Sequence, residues 1–407
     1  MRIFTSRFLC ILTALAAAFT SGALRSAPLT KGPYLQAPGK ETMTICWETQ
    51  VEDTGSVRYG CAAAADVTLG PIKPTRVTDP KQVYYVYEAV LTGLKPGTRY
   101  HYEVQCGAER SGERPFTTFD PAGREVTFIL YGDTRSGPER HQKLAEQFPA
   151  LNPAFILHSG DLVGRGSRYE LWAKELFVPL AHVLDRIPML PSLGNHEDDG
   201  LNYAAYFHLP EPERFYSFDA GPVHVLVLDY TRKLATDEQF RFAQEDLARS
   251  RAPWKIVLLH HPMFNLGGHA TFWGHDVYLP LFRQHRVDIV AAGHSHLYER
   301  FRPLVPRADP QAWAIQHITT GGGGAPLSKP VADPALASHA AVFHYLLMHA
   351  TPDTMTARTI DIDGKEIDRF ALHKTDGRQD PAWLAQACAE EDVIAARKKL
   401  WEALKKK

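Results

Sequence analysis

The sequence predicts a protein in two parts, a small all-β sandwich followed by a larger α/β domain. In residues 28–120, runs rich in Tyr, Val and Thr alternate with polar residues between turn signals, which is the pattern of short, half-buried strands. From Arg124 to about residue 372, apolar strand-like runs alternate with helical stretches, which predicts an α/β domain with a largely parallel core. The 407 residues are sufficient for both domains and for a sizeable core.

The composition argues against a disordered chain and against a nucleic-acid partner. Hydrophobic residues make up 44% of the chain and charged residues 22%, which is ordinary for a globular protein. The formal net charge is only −1, so no basic surface for nucleic acid is expected.

Residues 1–27 have the pattern of an export signal. Arg2 and Arg7 precede an apolar run over residues 8–19, and small residues at 21–23 offer a cleavage site. An uncleaved membrane anchor is the alternative, although the run is short for a bilayer span. We therefore expect a secreted or periplasmic protein that keeps no stable membrane anchor after cleavage.

Four cysteines remain after the predicted signal: Cys46, Cys61, Cys106 and Cys388. An oxidising compartment permits disulfides, and Cys61 and Cys106 each follow a strand-like run. That pair is the candidate disulfide, and four free thiols are the alternative.

The N-terminal part, residues 28–120, resembles a fibronectin type III sandwich. Trp47 would lie in its core, and TGLKPGTRYHYEV places a Leu-x-Pro-Gly corner before a tyrosine-rich strand. Such a domain is expected to act as a scaffold. Beyond the α/β domain at 124–372, residues 380–407 are predicted to form one amphipathic helix, docked on the protein or, alternatively, bound to a membrane.

Five strand-like runs of the α/β domain each end in potential metal ligands. Their ends are Gly132-Asp133, Gly160-Asp161, Gly194-Asn195-His196-Glu197, His260-His261-Pro262 and Gly293-His294-Ser295-His296. We expect them to meet at one edge of one sheet, with the glycines allowing close approach. Two carboxylates, an amide and three imidazoles without thiolate favour Fe, Zn, Mn, Co or Ni over calcium. Six such ligands exceed one tetrahedral site, so two ions are implied.

In this order, GD, GD, GNHE, HHP and GHSH resemble the calcineurin-like metallophosphoesterase superfamily. The continuation GHSHLYER at 293–300 and the fibronectin-like N-terminal part are similar to its purple acid phosphatase-like branch. The resemblance covers about residues 30–370. It implies a β-sandwich flanked by helices, and hydrolysis of phosphate esters by a metal-activated hydroxide at two ions, with Fe, Zn or Mn expected.

The resemblance also implies a role for each residue at a matching position. Asp133 and His296 would bind the first ion, and Asp161 would bridge both ions. The ligands of the second ion would be Asn195, His260 and His294. His196 would contact the substrate phosphate or protonate the leaving oxygen, and His269 would face the substrate. Glu197 is expected to orient a neighbour rather than to bind metal.

Two positions depart from the family pattern. Gly164 stands where purple acid phosphatases have a metal-binding tyrosine, and Arg135 stands where most other members have a histidine. We therefore expect no purple colour and a first ion with fewer protein ligands. Arg135 is expected to contact a phosphate oxygen, or alternatively to form a surface salt bridge.

The predicted function is hydrolysis of small phosphomonoesters, as in acid phosphatases. A phosphodiesterase acting on nucleotides or phospholipid head groups is one alternative. A non-catalytic surface binding protein on a degenerate phosphatase fold is the other.

Overall fold

A computed structural model describes residues 29–61, 67–197, 200–230, 237–269 and 272–405. The predicted export signal at 1–27 lies outside the described residues. Among the helices described, none combines the length and apolar character needed to cross a membrane.

The N-terminal domain is a sandwich of two antiparallel sheets, as the sequence predicts. One sheet has the order β1-β2-β6-β5, and the other has the order β4-β3-β7-β8 with β9 paired to β7. The stacked rings of Trp47 and Tyr87, 4.9 Å apart, lie in its core. The strands are β1 Leu29–Gln36, β2 Met43–Thr49, β3 Gly55–Gly60, β4 Val67–Ile72, β5 Thr75–Asp79, β6 Gln82–Leu91, β7 Arg99–Cys106, β8 Glu109–Arg110 and β9 Arg114–Thr117.

The prediction of a disulfide between Cys61 and Cys106 is wrong, since all four cysteines described are free thiols. Strands β3 and β7 pair antiparallel, with Gly55 opposite Cys106 and Gly60 opposite His101. Cys61 follows β3 and Cys106 is the last residue of β7, so the antiparallel register places the two at opposite ends of the strand pair. At about 3.3 Å per residue they lie far beyond disulfide reach.

The second domain contains two seven-stranded sheets that face each other. Their orders are β12-β11-β10-β21-β22-β23-β24 and β13-β14-β15-β16-β19-β17-β20. The strands are β10 Val126–Tyr131, β11 Ile156–His158, β12 Met189–Pro191, β13 Tyr216–Ala220, β14 Val223–Val227, β15 Trp254–Leu258, β16 Ile289–Ala292, β17 Tyr298–Phe301, β18 Leu304–Val305, β19 Gln316–Thr320, β20 Leu336–Ala340, β21 His344–Ala350, β22 Thr354–Asp361, β23 Glu366–Thr375, β24 Arg378–Gln379 and β25 Cys388–Ala389.

The five strands that carry the predicted ligands divide between the two sheets. Strands β10, β11 and β12 are parallel neighbours in one sheet, whereas β15 and β16 are parallel neighbours in the other. The expectation of a single sheet edge is therefore wrong. The β13–β14 hairpin begins the second sheet. A strand buried on both faces has the same apolar pattern in either sheet, so the sequence of such a strand does not show to which sheet it belongs.

Helices cover the sandwich and connect its strands. They are α1 Pro138–Ala145, α2 Phe148–Leu151, α3 Tyr169–Leu171, α4 Leu201–Tyr206, α5 Asp237–Arg249, α6 His275–Gln284, α7 Pro381–Leu384 and α8 Glu390–Lys405.

The sequence of residues 168–185 predicts one amphipathic helix. The chain instead passes from α3 into a π-helical segment, Trp172–Phe177. Pro179 has no N–H to donate to the carbonyl of Glu175, four residues earlier. His141 Nδ1 bonds that carbonyl instead, at 2.9 Å. The proline thus ends the regular helix and makes a backbone acceptor available to α1.

The prediction of one helix over 380–407 is also wrong. The short strand β25 separates α7 from α8 and pairs with β18. Helix α8 packs on the second domain, where Val393 is fully buried and Arg397 donates a hydrogen bond to the Leu266 carbonyl.

Candidate metal centre

The predicted ligands lie at one end of the sandwich, in the loops that follow β10, β11, β12, β15 and β16. Asp133, Asp161 and His294 all have left-handed backbones, with φ of 58°, 56° and 66°. This conformation is uncommon for residues other than glycine, and such strain concentrates at functional sites. The loops therefore hold three polar side chains in a backbone geometry that ordinary connections avoid.

The glycines beside these residues are required for close approach between the loops. A Cβ atom on Gly293 would collide with Asp133 Oδ2, and one on Gly194 would collide with the backbone nitrogen of Asp161. Loops from both sheets can therefore approach only where these residues lack side chains.

Asp161, Asn195, His260 and His294 form the second donor set, and the structure brings all four together. Asn195 Oδ1 lies 3.0 Å from His260 Nε2 and 2.9 Å from His294 Nδ1. His260 Nε2 also lies 3.3 Å from Asp161 Oδ1.

Asp133, Asp161 and His296 form the first donor set. One potential ligand atom from each of the three lies within 4.8 Å of the others. His296 Nε2 is 3.6 Å from Asp133 Oδ1. Asp161 belongs to both sets, which is the position that a bridging carboxylate requires.

The imidazoles are oriented and neutral, as metal ligands must be. His260 Nδ1 lies 2.7 Å from the Ser159 carbonyl, and His296 Nδ1 lies 2.8 Å from the Pro326 carbonyl, so each Nε2 keeps its lone pair for the site. Burial lowers the pKa of His260, and it lowers the pKa of His296 to about 4. Neither ring therefore carries a proton that an incoming cation would have to displace near pH 7.

Two buried polar atoms indicate that the donors fit a cation. Asp133 Oδ1 and His261 Nε2 have no hydrogen-bond partner among the residues that the structure describes. Burial and the nearby charge of Asp161 raise the pKa of Asp133 well above its usual value. A bound cation would satisfy these atoms and offset the repulsion between the carboxylates, and the mixed O/N donors suit a transition metal.

Glu197 organises the loop that carries Asp161. Its carboxylate accepts hydrogen bonds from the backbone N–H groups of Asp161 at 3.1 Å, Leu162 at 2.9 Å and Gly194 at 2.6 Å. The side chain thus ties the second and third ligand loops together, in agreement with the expectation that it orients its neighbours.

The two predicted substrate-side histidines lie beside the donor sets. His196 Nδ1 is 2.7 Å from the Gly164 carbonyl, which leaves Nε2 3.9 Å from Asp161 Oδ2 in a side chain that is 30% exposed. The ring of His269 lies 4.7 Å from that of His294 and 5.5 Å from that of His296. Both residues can therefore reach a ligand held at the centre.

Arg135 points into the first donor set and does not lie on the surface. Its Nε is 3.2 Å from Asp161 Oδ2, one of its terminal nitrogens is 3.2 Å from His296 Nε2, and the side chain is only 17% exposed. The ion pair predicted as an alternative therefore exists, but within the site. Gly164, the other departure, contributes only its backbone, since its N–H donates to Glu175 Oε2 at 2.6 Å.

Sequence reasoning gave no role to His261, although it lies in the HHP motif, and it missed Tyr230. His261 joins His260 and His294 in a group whose potential ligand atoms lie within 4.8 Å of one another. The Tyr230 ring stacks on His261 at 3.7 Å. Its position after a strand could have identified Tyr230, because it follows β14 as the other site residues follow their strands.

Comparisons with known proteins agree with this geometry. The chain matches the calcineurin-like phosphoesterase family model over residues 126–298 and the purple acid phosphatase N-terminal domain model over residues 31–118. The chain contains a calcineurin-like phosphoesterase domain, preceded by a purple acid phosphatase N-terminal domain. The family resemblance predicted from the motifs is thereby confirmed, as is the predicted fold class.

Individual relatives of this phosphoesterase include plant and bacterial proteins. Purple acid phosphatase 18 of Arabidopsis thaliana is 28% identical over 329 residues, which cover 74% of this chain and 72% of the relative. The uncharacterized protein Rv2577 of Mycobacterium tuberculosis is 29% identical over 378 residues, 75% of this chain and 71% of its own.

Solved structures share the fold of the phosphoesterase. Purple acid phosphatase PPD1 of yellow lupin superposes with a TM-score of 0.73 at 18% identity, covering 89% of this chain and 77% of that one. PhoD superposes with a TM-score of 0.65 at 14% identity, covering 94% of this chain and 99% of its own. The phosphoesterase family model and the purple acid phosphatases among the relatives support metal-dependent hydrolysis of phosphate esters.

Proposed function

We propose that this phosphoesterase hydrolyses small phosphomonoesters at a site for two transition-metal ions. The observation that carries the proposal is the convergence of six predicted ligands from two sheets into two donor sets that share Asp161. The donor types favour Fe, Zn or Mn. The preference for monoesters rests on the purple acid phosphatases among the relatives.

Asp133, Asp161 and His296 would hold the first ion, and Asp161, Asn195, His260 and His294 the second. Bound there, the ions would neutralise the negative phosphate and lower the pKa of a coordinated water. Two charged or titratable groups of the chain complete the site. Arg135 supplies a positive charge, and His196 is placed to deliver a proton.

His196 is the group we assign to the leaving oxygen. Its Nδ1 is engaged by the Gly164 carbonyl, which fixes the ring and directs Nε2 towards the centre. The ring remains accessible, so a substrate oxygen can approach Nε2. Proton transfer to an oxygen as it leaves is the usual role of a histidine so placed.

The location that we propose is outside the cytoplasm, secreted or periplasmic, because residues 1–27 have the composition of an export signal. Cell fractionation with an antibody against the protein tests this. Recovery of the full-length chain from the cytoplasm alone would contradict it.

The first experiment combines metal content and substrate choice on the full-length gene product purified without chelator. Elemental mass spectrometry should find transition metal in the protein. The rate of hydrolysis should be higher for the monoester para-nitrophenyl phosphate than for the diester bis(para-nitrophenyl) phosphate. Faster hydrolysis of the diester would favour a phosphodiesterase, and absence of both metal and activity after metal addition would leave the non-catalytic binding protein.

A further inference from the structure

The guanidinium of Arg135 forms hydrogen bonds to donor atoms of Asp161 and His296 that a first ion would need. Asp161 directs Oδ1 to the second donor set, where His260 Nε2 is 3.3 Å away, and directs Oδ2 to Arg135 Nε at 3.2 Å. The only free nitrogen of His296 is Nε2, because Nδ1 bonds the Pro326 carbonyl, and Arg135 lies 3.2 Å from that Nε2. Two of the three members of the first donor set are thus engaged by one cationic side chain.

Arg135 cannot act as a metal ligand itself. A guanidinium has five N–H donors and no lone pair available at any accessible pH, so it can only replace a cation or repel one. Its backbone is also fixed beside the centre, since its N–H bonds the Asp161 carbonyl at 3.2 Å. The side chain therefore approaches the first donor set from an anchored position.

The three members of the second donor set that it does not share with the first have no such competitor among the contacts described. Asn195 Oδ1 faces His260 and His294, and Arg135 makes no hydrogen bond to any of these three among the contacts described. The two sets therefore differ in their surroundings: a guanidinium contacts His296 of the first set, whereas Asn195, His260 and His294 of the second set have no such contact among the residues described.

We propose that Arg135 competes with the first metal ion for Asp161 and His296, so that the two ions bind with very unequal affinity. The second ion stays bound when free metal is scarce, and the guanidinium then supplies the positive charge beside Asp161. The first ion enters only at higher free metal, after Arg135 has moved off these two residues. This inference rests on the proposed two-ion site and specifies how that site fills.

The test counts metal ions on the full chain by equilibrium dialysis against buffered Zn²⁺, followed by elemental mass spectrometry. At low free Zn²⁺ the parent protein should keep one ion, at the second donor set. It should take up the other ion, at the first donor set, only at much higher free Zn²⁺. Arg135→Gln removes the competing charge, and Arg135→His also adds an imidazole. Each should tighten the weaker binding step at least about tenfold, since a like charge a few ångströms away is removed.

Arg168→Gln is the matched control, because it makes the same change in net charge at a side chain that is 49% exposed and paired with Glu170. It should leave both binding steps unchanged. The thermal unfolding midpoint of each protein, followed against free Zn²⁺, reports the same binding steps without any assay of activity.

The outcomes separate this inference from the function on which it rests. Two equally tight ions in the parent protein, unchanged in Arg135→Gln and Arg135→His, would overturn the competition and leave the two-ion site standing. A single ion in all four proteins would overturn both the competition and the proposed first ion. If none of the four binds Zn²⁺, the proposed metal site itself fails.

Discussion

Asp161 links the two halves of the centre through its separate carboxylate oxygens. Oδ1 accepts the backbone N–H of His196 at 3.0 Å and faces His260, while Oδ2 faces Arg135. Burial by itself raises the pKa of Asp161, but its interactions with His260, His196 and Arg135 together outweigh that effect and lower the pKa. The carboxylate is therefore ionised and placed to serve both donor sets.

We expect Asp161→Asn to reduce kcat/KM by at least about 10³-fold, because both of the proposed ions would lose a charged ligand. Metal content, measured on the same samples, should fall with it. Unchanged metal content in Asp161→Asn would remove Asp161 from the bridging position.

The role of His196 can be tested by comparing hydrolysis rates for substrates with good and poor leaving groups. His196→Gln should slow hydrolysis of alkyl phosphates much more than that of para-nitrophenyl phosphate, since a poor leaving group depends on protonation. Metal content should not change. Equal loss on both substrates would mean that His196 positions the phosphate and does not deliver the proton.

At the scale of elements, a buried histidine connects the β13–β14 hairpin to α5. His224 Nδ1 lies 2.8 Å from Asp219 on β13, and its Nε2 lies 2.7 Å from Asp246 on α5. Burial alone would lower the pKa of His224, but the hydrogen bonds to the two carboxylates outweigh it and raise the pKa to about 9. The charged ring thus holds together elements that flank β15.

This histidine makes stability depend on pH in a defined direction. The folded pKa of about 9 lies above the unfolded value of about 6.5, so the contribution is complete below pH 6.5 and is lost as the pH rises through 9. The parent protein should lose about 1–2 kcal/mol of unfolding free energy over this interval relative to His224→Gln, with allowance for the exposure of Asp219. Urea unfolding at both pH values measures it.

His349→Gln is the control for that measurement, because the His349 ring is 41% exposed on β21. It should follow the pH profile of the parent protein. Parallel profiles for the parent and His224→Gln would show that the buried ion pairs add no pH-dependent stability.

Local features of the sequence identified the residues of the centre, but they did not predict which sheet carries each residue. A ligand at the end of an apolar run, such as Asp133 or His260, is visible because both signals are adjacent in the chain. The assignment of β15 to a different sheet from β10 depends on strand pairing between distant segments. The partner of the Glu175 carbonyl in the segment Trp172–Phe177 is likewise distant in sequence, since His141 bonds it from α1. The position of the Arg135 guanidinium follows from the same long-range packing.

Across the whole molecule, the N-terminal sandwich contacts the second domain through a buried polar cluster. Glu48 on β2 accepts hydrogen bonds from Lys31 at 2.6 Å, Tyr169 at 2.7 Å and Tyr206 at 2.7 Å. Burial lowers the pKa of Lys31, and the carboxylate of Glu48 partly offsets that effect. Because a buried charge without its partner is costly, this cluster favours one fixed arrangement of the two domains.

A second contact leads from the sandwich to the metal centre. Tyr84 and Asp79 bond the side chain of Asn202 at 2.5 and 3.1 Å, and Asn202 Nδ2 also donates to the Gly166 carbonyl at 2.8 Å. Gly166 in turn donates its N–H to the carbonyl of His196 at 2.6 Å. The sandwich therefore supports the backbone of the loop that carries Asp161 and of the residue assigned to proton transfer.

Asn202→Ala tests whether the sandwich supports catalysis through this path. The variant removes the bridge and leaves a buried carbonyl with one bond fewer, so it should lose about 1–3 kcal/mol of stability. It should also lower kcat about three- to tenfold, because small displacements of catalytic groups are costly. Tyr84→Phe, which keeps the bond from Asn202 to Gly166, should lose stability but little kcat. If both variants lose stability and neither loses kcat, the sandwich stabilises the fold without positioning His196.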